Sequence, residues 1–423
     1  MRALRWFKHF GLTLAGLSIL AGCVVYTDVL QGVEYSLARQ DPKGALVQLE
    51  SVATGSRNKL LYYMERGMLA RMNGDFTESA ASFDSAKVLM EQLEPISVSG
   101  SAGRIILSEV SGRYRADDFE RLQVHAFQAV NYLELDRSDD ARVEALQIDL
   151  LLRRVGRDGL AKHGGDAFAR YLSGVIFEGR GELSDALIAY RKALEVYDNN
   201  KNYGVSIPMD LKRRLIYLAD TLGAEEEAGQ FRNRFGINDP GIDPSHGEII
   251  LILSSGLAPK RLEYSSLTQD PESGKLYRIS LPKLQVRPSH GGGAVLSSGG
   301  KRAQGFAVDS IRSASQRTLQ AELPGLIAKA IARNVIKNAV ANQAGKESET
   351  LELAINIAGA LFENADTRSW RTLPDTIYIT RLSLPAGVHD VTINIRERNV
   401  GRLKQVEVKG GKQIVISHHR TGL

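Results

Sequence analysis

The chain has 423 residues, with 54 Lys and Arg against 49 Asp and Glu, a formal charge of +5, and 43% hydrophobic with 24% charged residues. That balance belongs to an ordinary globular protein long enough for two or three domains, and it excludes wholesale disorder. A single cysteine excludes intramolecular disulfides, and removing Arg2, Arg5 and Lys8 with a leader leaves a charge of about +2, so the basic isoelectric point is no sign of a nucleic-acid partner.

Arg2, Arg5 and Lys8 precede an apolar stretch from Phe10 to Leu20, and the small pair Ala21 and Gly22 stands directly before Cys23. This order is that of a secretory signal peptide. The apolar stretch is roughly a dozen residues, short of the about 20 that a spanning helix needs. Leu20-Ala21-Gly22-Cys23 resembles the bacterial lipobox, whose cysteine receives a diacylglycerol before cleavage and whose freed amine is acylated afterwards. The resemblance implies a leader over residues 1–22 cleaved before Cys23, with the lipid bilayer as a partner. Acyl chains contribute about 0.8 kcal/mol per buried CH2, so several of them hold a protein at a membrane. Val24 stands where an aspartate usually marks inner-membrane retention in proteobacterial lipoproteins, which points to the outer membrane, facing the periplasm.

Residues 23–235 read as a helical repeat domain. Tyr63 to Met90 and Arg170 to Tyr197 share a helical apolar pattern broken by a short Gly-acidic turn. The later copy places Gly174, Gly181, Glu182, Leu183, Ala186, Tyr190 and Ala193 where the tetratricopeptide repeat has its small, turn and aromatic positions, and it resembles that family. The earlier copy supplies Gly67, Gly74, Asp75, Phe76, Phe83 and Ala86 at the same offsets, with Ser79 where alanine is usual. Small residues let two helices approach, the Gly-acidic pair permits the turn, and the aromatic fills the groove that remains. A weaker third copy has Ala129, Tyr132, Ala141 and Ala145, with Asp136-Arg137-Ser138-Asp139 in place of the glycine turn. Flanking pairs are expected at Val33 to Val52 and Met209 to Phe235, and Glu94 to Arg115 inserts a Ser/Gly-rich stretch.

Arrays of this kind leave a concave surface whose side chains commonly take a partner peptide. The family's ligand-facing offsets fall on Met64, Met68, Arg71 and Met72 in one copy and on Phe168, Tyr171 and Glu178 in the other. Methionine suits an adaptable binding surface, and it suits packing against a neighbouring repeat equally well.

Asn238-Asp239-Pro240-Gly241 and Asp243-Pro244 end the helical pattern, making residues 236–247 a linker. Six β-branched runs follow: Glu248 to Leu253, Lys275 to Leu281, Thr376 to Arg381, Val391 to Arg396, Lys404 to Val408 and Lys412 to Ser417. They predict a small β domain over residues 248–423, and the chain as a whole reads as α+β. Leu384 to Ile393 with Val406 to Lys412 resembles the hairpins of small envelope β-sandwich modules. A helical hairpin is expected within about residues 309–365, one arm after Pro324 with Ile327, Ile331 and Val335 on one face, the other from about Ser348 to Phe362.

No residue pattern in the sequence points to catalysis. Gly299-Gly300-Lys301-Arg302 fails the phosphate-loop pattern and reads as a mobile loop, and Ser101 lacks the preceding strand and glycine of a nucleophile elbow. The histidines lack helical metal spacing, so neither metal nor cofactor is expected. Trp370 and Arg371 form the most distinctive polar-aromatic pair, a contact site on the β domain or a staple between helix and strand. Taken whole, the order of lipobox, helical repeats and β domain resembles a family of uncharacterised tetratricopeptide lipoproteins of Gram-negative bacteria. The expectation is a noncatalytic adaptor whose groove holds another envelope protein. A glycan-binding or cell-wall-binding β domain is the alternative, and an enzyme without a local motif is a further one.

Overall fold

The structure, a computed structural model, describes residues 26, 29–51, 54–93, 112–163, 166–199, 204–269, 276–289, 291–344, 365–396 and 398–421. The leader, Cys23, the Ser/Gly-rich stretch around Ser101 and the expected helix from Ser348 to Phe362 lie outside them.

Among the described residues ten helices come first and pair in sequence. They are α1 (29–38), α2 (Pro42–Glu50), α3 (Lys59–Met72), α4 (Phe76–Gln92), α5 (Asp118–Glu134), α6 (Ser138–His163), α7 (Ala167–Gly179), α8 (Leu183–Asn199), α9 (Met209–Thr221) and α10 (Glu225–Phe235). One device turns every pair. The connecting residue is left-handed at Gln40, Gly74, Asp136, Gly181 and Gly223. The N–H after it then reaches back to the first helix: Asp75 to Ala70 O, Arg137 to Tyr132 O, Glu182 to Phe177 O and Ala224 to Ala219 O. This closure satisfies carbonyls that a helix end otherwise leaves unpaired. Asp136 therefore does the work of the missing glycine in the weak third copy, as the short polar side chain of aspartate allows.

Within two pairs the helices meet glycine to aromatic. A Cβ at Gly67 would stand 2.5 Å from the Phe83 ring, and one at Gly174 would stand 2.4 Å from the Tyr190 ring. Ala86, Ala186 and Ala193 are wholly buried beside them. Ser79, the departure from alanine, is also buried, and its Oγ accepts from Asn131 Nδ2 at 2.8 Å, which ties one repeat to the next. Tyr190 is pinned by its hydroxyl to Glu178 at 2.8 Å, so its ring cannot swing away from an added methyl. Overpacking costs about 1–3 kcal/mol, more than the about 1 kcal/mol alanine gains over glycine in a helix. Gly174→Ala is accordingly expected to lower the urea midpoint, and a midpoint unchanged from wild type would contradict the close approach.

The C-terminal half is β1 (Gly247–Ser255), β2 (Lys260–Gln269), β3 (Leu276–Gln285), β4 (Ala294–Ser298), β5 (Lys301–Gln304), β6 (Phe306–Ser310), α11 (Ile311–Ala344), β7 (Thr376–Leu384), β8 (Gly387–Ile395), β9 (Arg398–Val408) and β10 (Gln413–Arg420). One sheet has the order β10-β1-β7-β6, a second β5-β4-β8-β9, and β2-β3 form a separate ribbon. β1 runs parallel to β10 and antiparallel to β7. Alternation along β1 explains the layers. Ile249, Leu251 and Leu253 face the second sheet and meet Leu296, Val391 and Ile393, whereas Ile250 and Ile252 face the helices. A central strand covered on both faces has to read as an unbroken apolar run, as Ile249 to Leu253 does.

Three expectations are corrected. Strands β2, β4, β5 and β6 also form; β2 mixes charge with apolar residues, and the others are short. The glycine segment at residues 299–302 is a hairpin rather than a mobile loop, because Gly299 and Gly300 both take positive φ, 53° and 81°, and turn β4 directly into β5. Helix α11 begins before Pro324, at Ile311, where the Ser310 hydroxyl caps the N–H of Ser313 at 3.2 Å, and it runs through the proline.

Candidate interaction face of the helical array

Met64, Met68, Phe168 and Tyr171 are brought together on the inner face of the array and are 0% exposed. Arg71 is buried between the Phe76 and Phe127 rings, 5.5 Å from each centroid. Glu178 lies within a network of buried charge, and Met72 is half-buried at the rim. The face is filled by the chain's own C-terminal half. One apolar core runs from Leu30 and Leu61 through Phe127 and Tyr190 to Ile250, Val308, Trp370 and Ile379.

The segment 368–373, between α11 and β7, lies across the first repeats. Its backbone is held by two glutamates that project from the helices. Glu65 accepts the N–H of Arg371 at 2.7 Å and of Thr372 at 3.0 Å. Glu120 accepts the N–H of Trp370 at 3.0 Å and the hydroxyl of Tyr114 at 2.5 Å. Trp370, 1% exposed, sets its ring edge-on to Phe83, with centroids 5.9 Å apart, and its indole N–H bonds Thr372 Oγ1 at 3.1 Å. Trp370 and Arg371 therefore do not form an exposed contact on the β domain. They are buried against the first repeats, whose glutamates hold their backbone.

Farther along, β7 brings Arg381 against the later repeats. Its guanidinium pairs with Glu178 at 3.0 Å, with Asp210 at 3.5 Å and with Glu248, and Arg214 pairs with Glu178 and Glu248. Tyr171 donates to Asp210, and its ring lies 5.4 Å from that of Tyr190. Burial pushes the Glu178 carboxyl up, yet Arg381 and Arg214 hold it below the usual carboxylate range. Asp309, at the end of β6, accepts from the N–H of Phe168 at 3.3 Å, where the first turn of α7 favours an anion. Tyr197 donates to Val308 O at 2.7 Å. At the other end, Glu34 of α1 meets Lys260 at 2.8 Å and Arg371 at 3.2 Å.

Glu65, Glu120 and Arg381 escape a reading of sequence. The available signal is a charge set among apolar neighbours, as Glu65 stands beside Met64 and Met68 on one helix and Arg381 stands in Ile377 to Leu384. Their partners lie hundreds of residues away and leave no local trace.

Burial, opposed by its bonds to Thr372 and Arg371, pushes the Glu65 carboxyl up to about 7, and burial with the neighbouring Asp117 pushes Glu120 up to about 8. An unfolded glutamate titrates near about 4.3. The folded chain therefore holds the Glu65 proton more tightly, so this contribution to stability is full below the unfolded value and is lost as pH rises through about 7. Wild type relative to Glu65→Gln is expected to lose up to about 1.4 kcal/mol per pH unit across that window, read from urea unfolding near about pH 5 and about pH 7. A difference constant with pH would contradict it.

Among the described residues no helix is long and apolar enough to cross a membrane, and no three His, Cys, Asp or Glu side chains are placed to hold a metal ion.

No protein-family model matches the chain, and no curated protein does. Several solved structures share helical features with it. MamA 41-end from Desulfovibrio magneticus RS-1 is 14% identical over 50% of this chain and 91% of its own, with a TM-score of 0.31. Aspartyl phosphate phosphatase F from Bacillus subtilis is 15% identical over 51% of this chain and 50% of its own, at 0.34. BtubC from P. vanneervenii is 14% identical over 54% of this chain and 83% of its own, at 0.31. At these TM-scores the likenesses carry no argument, and the tetratricopeptide-like assignment rests on the paired helices, their left-handed turns and the glycine–aromatic contacts.

Proposed function

We propose that the chain is a lipid-anchored, noncatalytic scaffold of the bacterial envelope, held by acylated Cys23 and bound to another envelope protein through its outer surfaces. The observation that carries the scaffold reading is the filled inner face. A groove that binds backbone N–H groups through Glu65 and Glu120 and an aromatic through Phe83 has the chemistry of peptide capture. Here it captures residues 368–373 of the same chain, which supports a rigid body displaying its exterior. Exposed apolar side chains are available there, among them Tyr264 and Leu267 on the β2-β3 ribbon, 57% and 70% exposed. The glycan-binding alternative loses the two residues that motivated it, Trp370 and Arg371, to the interior. The lipobox pattern at Leu20 to Cys23 supports the anchor, and Val24 after it supports an outer-membrane location.

Three measurements test this. The intact mass of protein extracted from membranes is expected to carry acyl chains on a chain starting at Cys23, and Cys23→Ser is expected to move the protein to the soluble fraction. Photoreactive residues at 264 and 267 are expected to give a dominant adduct with one envelope protein in cells. An unacylated soluble wild type would overturn the anchor, and absence of any adduct from the outer positions would overturn the scaffold.

A further inference from the structure

A cavity of about 440 Å³ opens where the first repeats meet the end of the second sheet. Its polar wall is made by Arg398 of β9 and by His418, His419 and Arg420 of β10. Its apolar wall includes Pro42, Met72 and Val400. Among the described residues that line it there is no aspartate or glutamate.

Among the described residues several nitrogen atoms around this cavity lack a partner. Arg420 Nη1 and His419 Nε2 are buried and have no hydrogen-bond partner among the described residues. Behind them Arg71, whose guanidinium stacks on the same Phe127 ring that His419 meets, leaves Nε and Nη2 without one. The Glu134 carboxylate, which accepts from the hydroxyl of Ser417 at 2.5 Å, faces Arg71 and leaves Arg398 and Arg420 on the cavity side. Buried donors without a partner are costly, and an anion drawn between them offsets that cost.

We propose that this cavity is an anion site for a phosphate ester. A single carboxylate is matched by one guanidinium fork. Two forks, from Arg398 and Arg420, instead match the charge of a phosphoryl group, and two imidazoles beside them offer further N–H groups to its several acceptor oxygens. The volume exceeds what a bare phosphate fills and lies in the range of small-ligand pockets. The apolar wall at Pro42, Met72 and Val400 gives the body of the ester a surface to lie on. Both imidazoles are held neutral before the anion arrives, by burial first and then by Arg420 beside His418 and Arg71 beside His419. A bound phosphate reverses that repulsion. The ester can be a soluble metabolite or the headgroup of an anionic lipid, and the two sources share this chemistry.

The test uses the full mature chain with Cys23→Ser, so that no acyl chain brings it to membranes. Titration calorimetry with glycerol 3-phosphate is paired with flotation on phosphatidylglycerol vesicles, phosphatidylcholine vesicles serving as control. Saturable binding in either arm is expected, weakened about tenfold or more by Arg398→Gln. Arg398 is exposed, so this variant is expected to melt as wild type does; Arg420→Gln, in the wall itself, serves as the second variant. Binding of glycerol 3-phosphate alone identifies a soluble ester, and flotation on phosphatidylglycerol alone identifies a lipid headgroup. No binding in either arm, or binding that neither variant weakens, would overturn the site.

Discussion

Replacing Trp370 with alanine is expected to cost about 3–5 kcal/mol and to uncouple the two halves of the molecule. The indole is 1% exposed and sits in the one core that both halves share, against Phe83 of α4. Its loss leaves a cavity lined by elements that other contacts hold in place, so the site cannot collapse and the full cavity term is felt. The backbone N–H bonds to Glu65 and Glu120 depend on the same segment lying flat across the helices. Scanning calorimetry of wild type is therefore expected to show one cooperative transition, and Trp370→Ala two transitions, the lower shifted down by several degrees. A single transition at the wild-type temperature would show that the indole contributes little to joining the halves.

Arg381→Ala is expected to be as damaging, for an electrostatic reason. Arg381 and Arg214 together balance Glu178, Glu248 and Asp210, all largely removed from water. Truncating one partner of such a network leaves buried carboxylates uncompensated, at about 3–5 kcal/mol. Arg381→Lys is expected to recover only part of this, since one ammonium cannot span the acceptors that a planar fork reaches. Arg381 and Arg214 hold the Glu178 pKa below its unfolded value against the pull of burial. The stability they confer is therefore present above the unfolded pKa and disappears as pH falls through the folded one. The gap between wild type and Arg381→Ala is expected to be widest near neutrality and to narrow in acid, as urea unfolding at both pH values will report. A gap that widened in acid would contradict the pairing.

Much of the helical half was legible because its determinants are local. Gly67 with Phe83 and Gly174 with Tyr190 are short-range pairs whose residue types follow from two helices packed close together, and the turn glycines follow from the need for positive φ. Asp136 was harder to read, since only the backbone shows that it takes the glycine's conformation. In the C-terminal half the apolar strands announced themselves, whereas β2 and β4 to β6 did not. A ribbon with one partner and strands of four or five residues need little hydrophobic pattern to form, and their pairing is set by turns such as Gly299-Gly300.

The inner face shows where local reading stops. Met64 and Met68 could be placed on it from spacing alone, but what covers them could not. The covering segment comes from 300 residues farther along and is recognised by carboxylates binding backbone, which requires no particular side chain on the segment. The methionines lie in the core that both halves share. The same logic accounts for Trp370: an aromatic beside arginine suits a hot spot on any surface, and the surface it meets here belongs to its own chain.

The most direct test of this account is hydrogen exchange at three backbone amides, those of Trp370, Arg371 and Thr372, in the full mature chain. Bound to Glu120 and Glu65 inside a shared core, they are expected to exchange orders of magnitude more slowly than an open loop, with the two Glu65-bound amides released in Glu65→Ala. Exchange at the rate of unprotected backbone in wild type would mean that the inner face stands open in solution, and the self-filled groove would have to be abandoned.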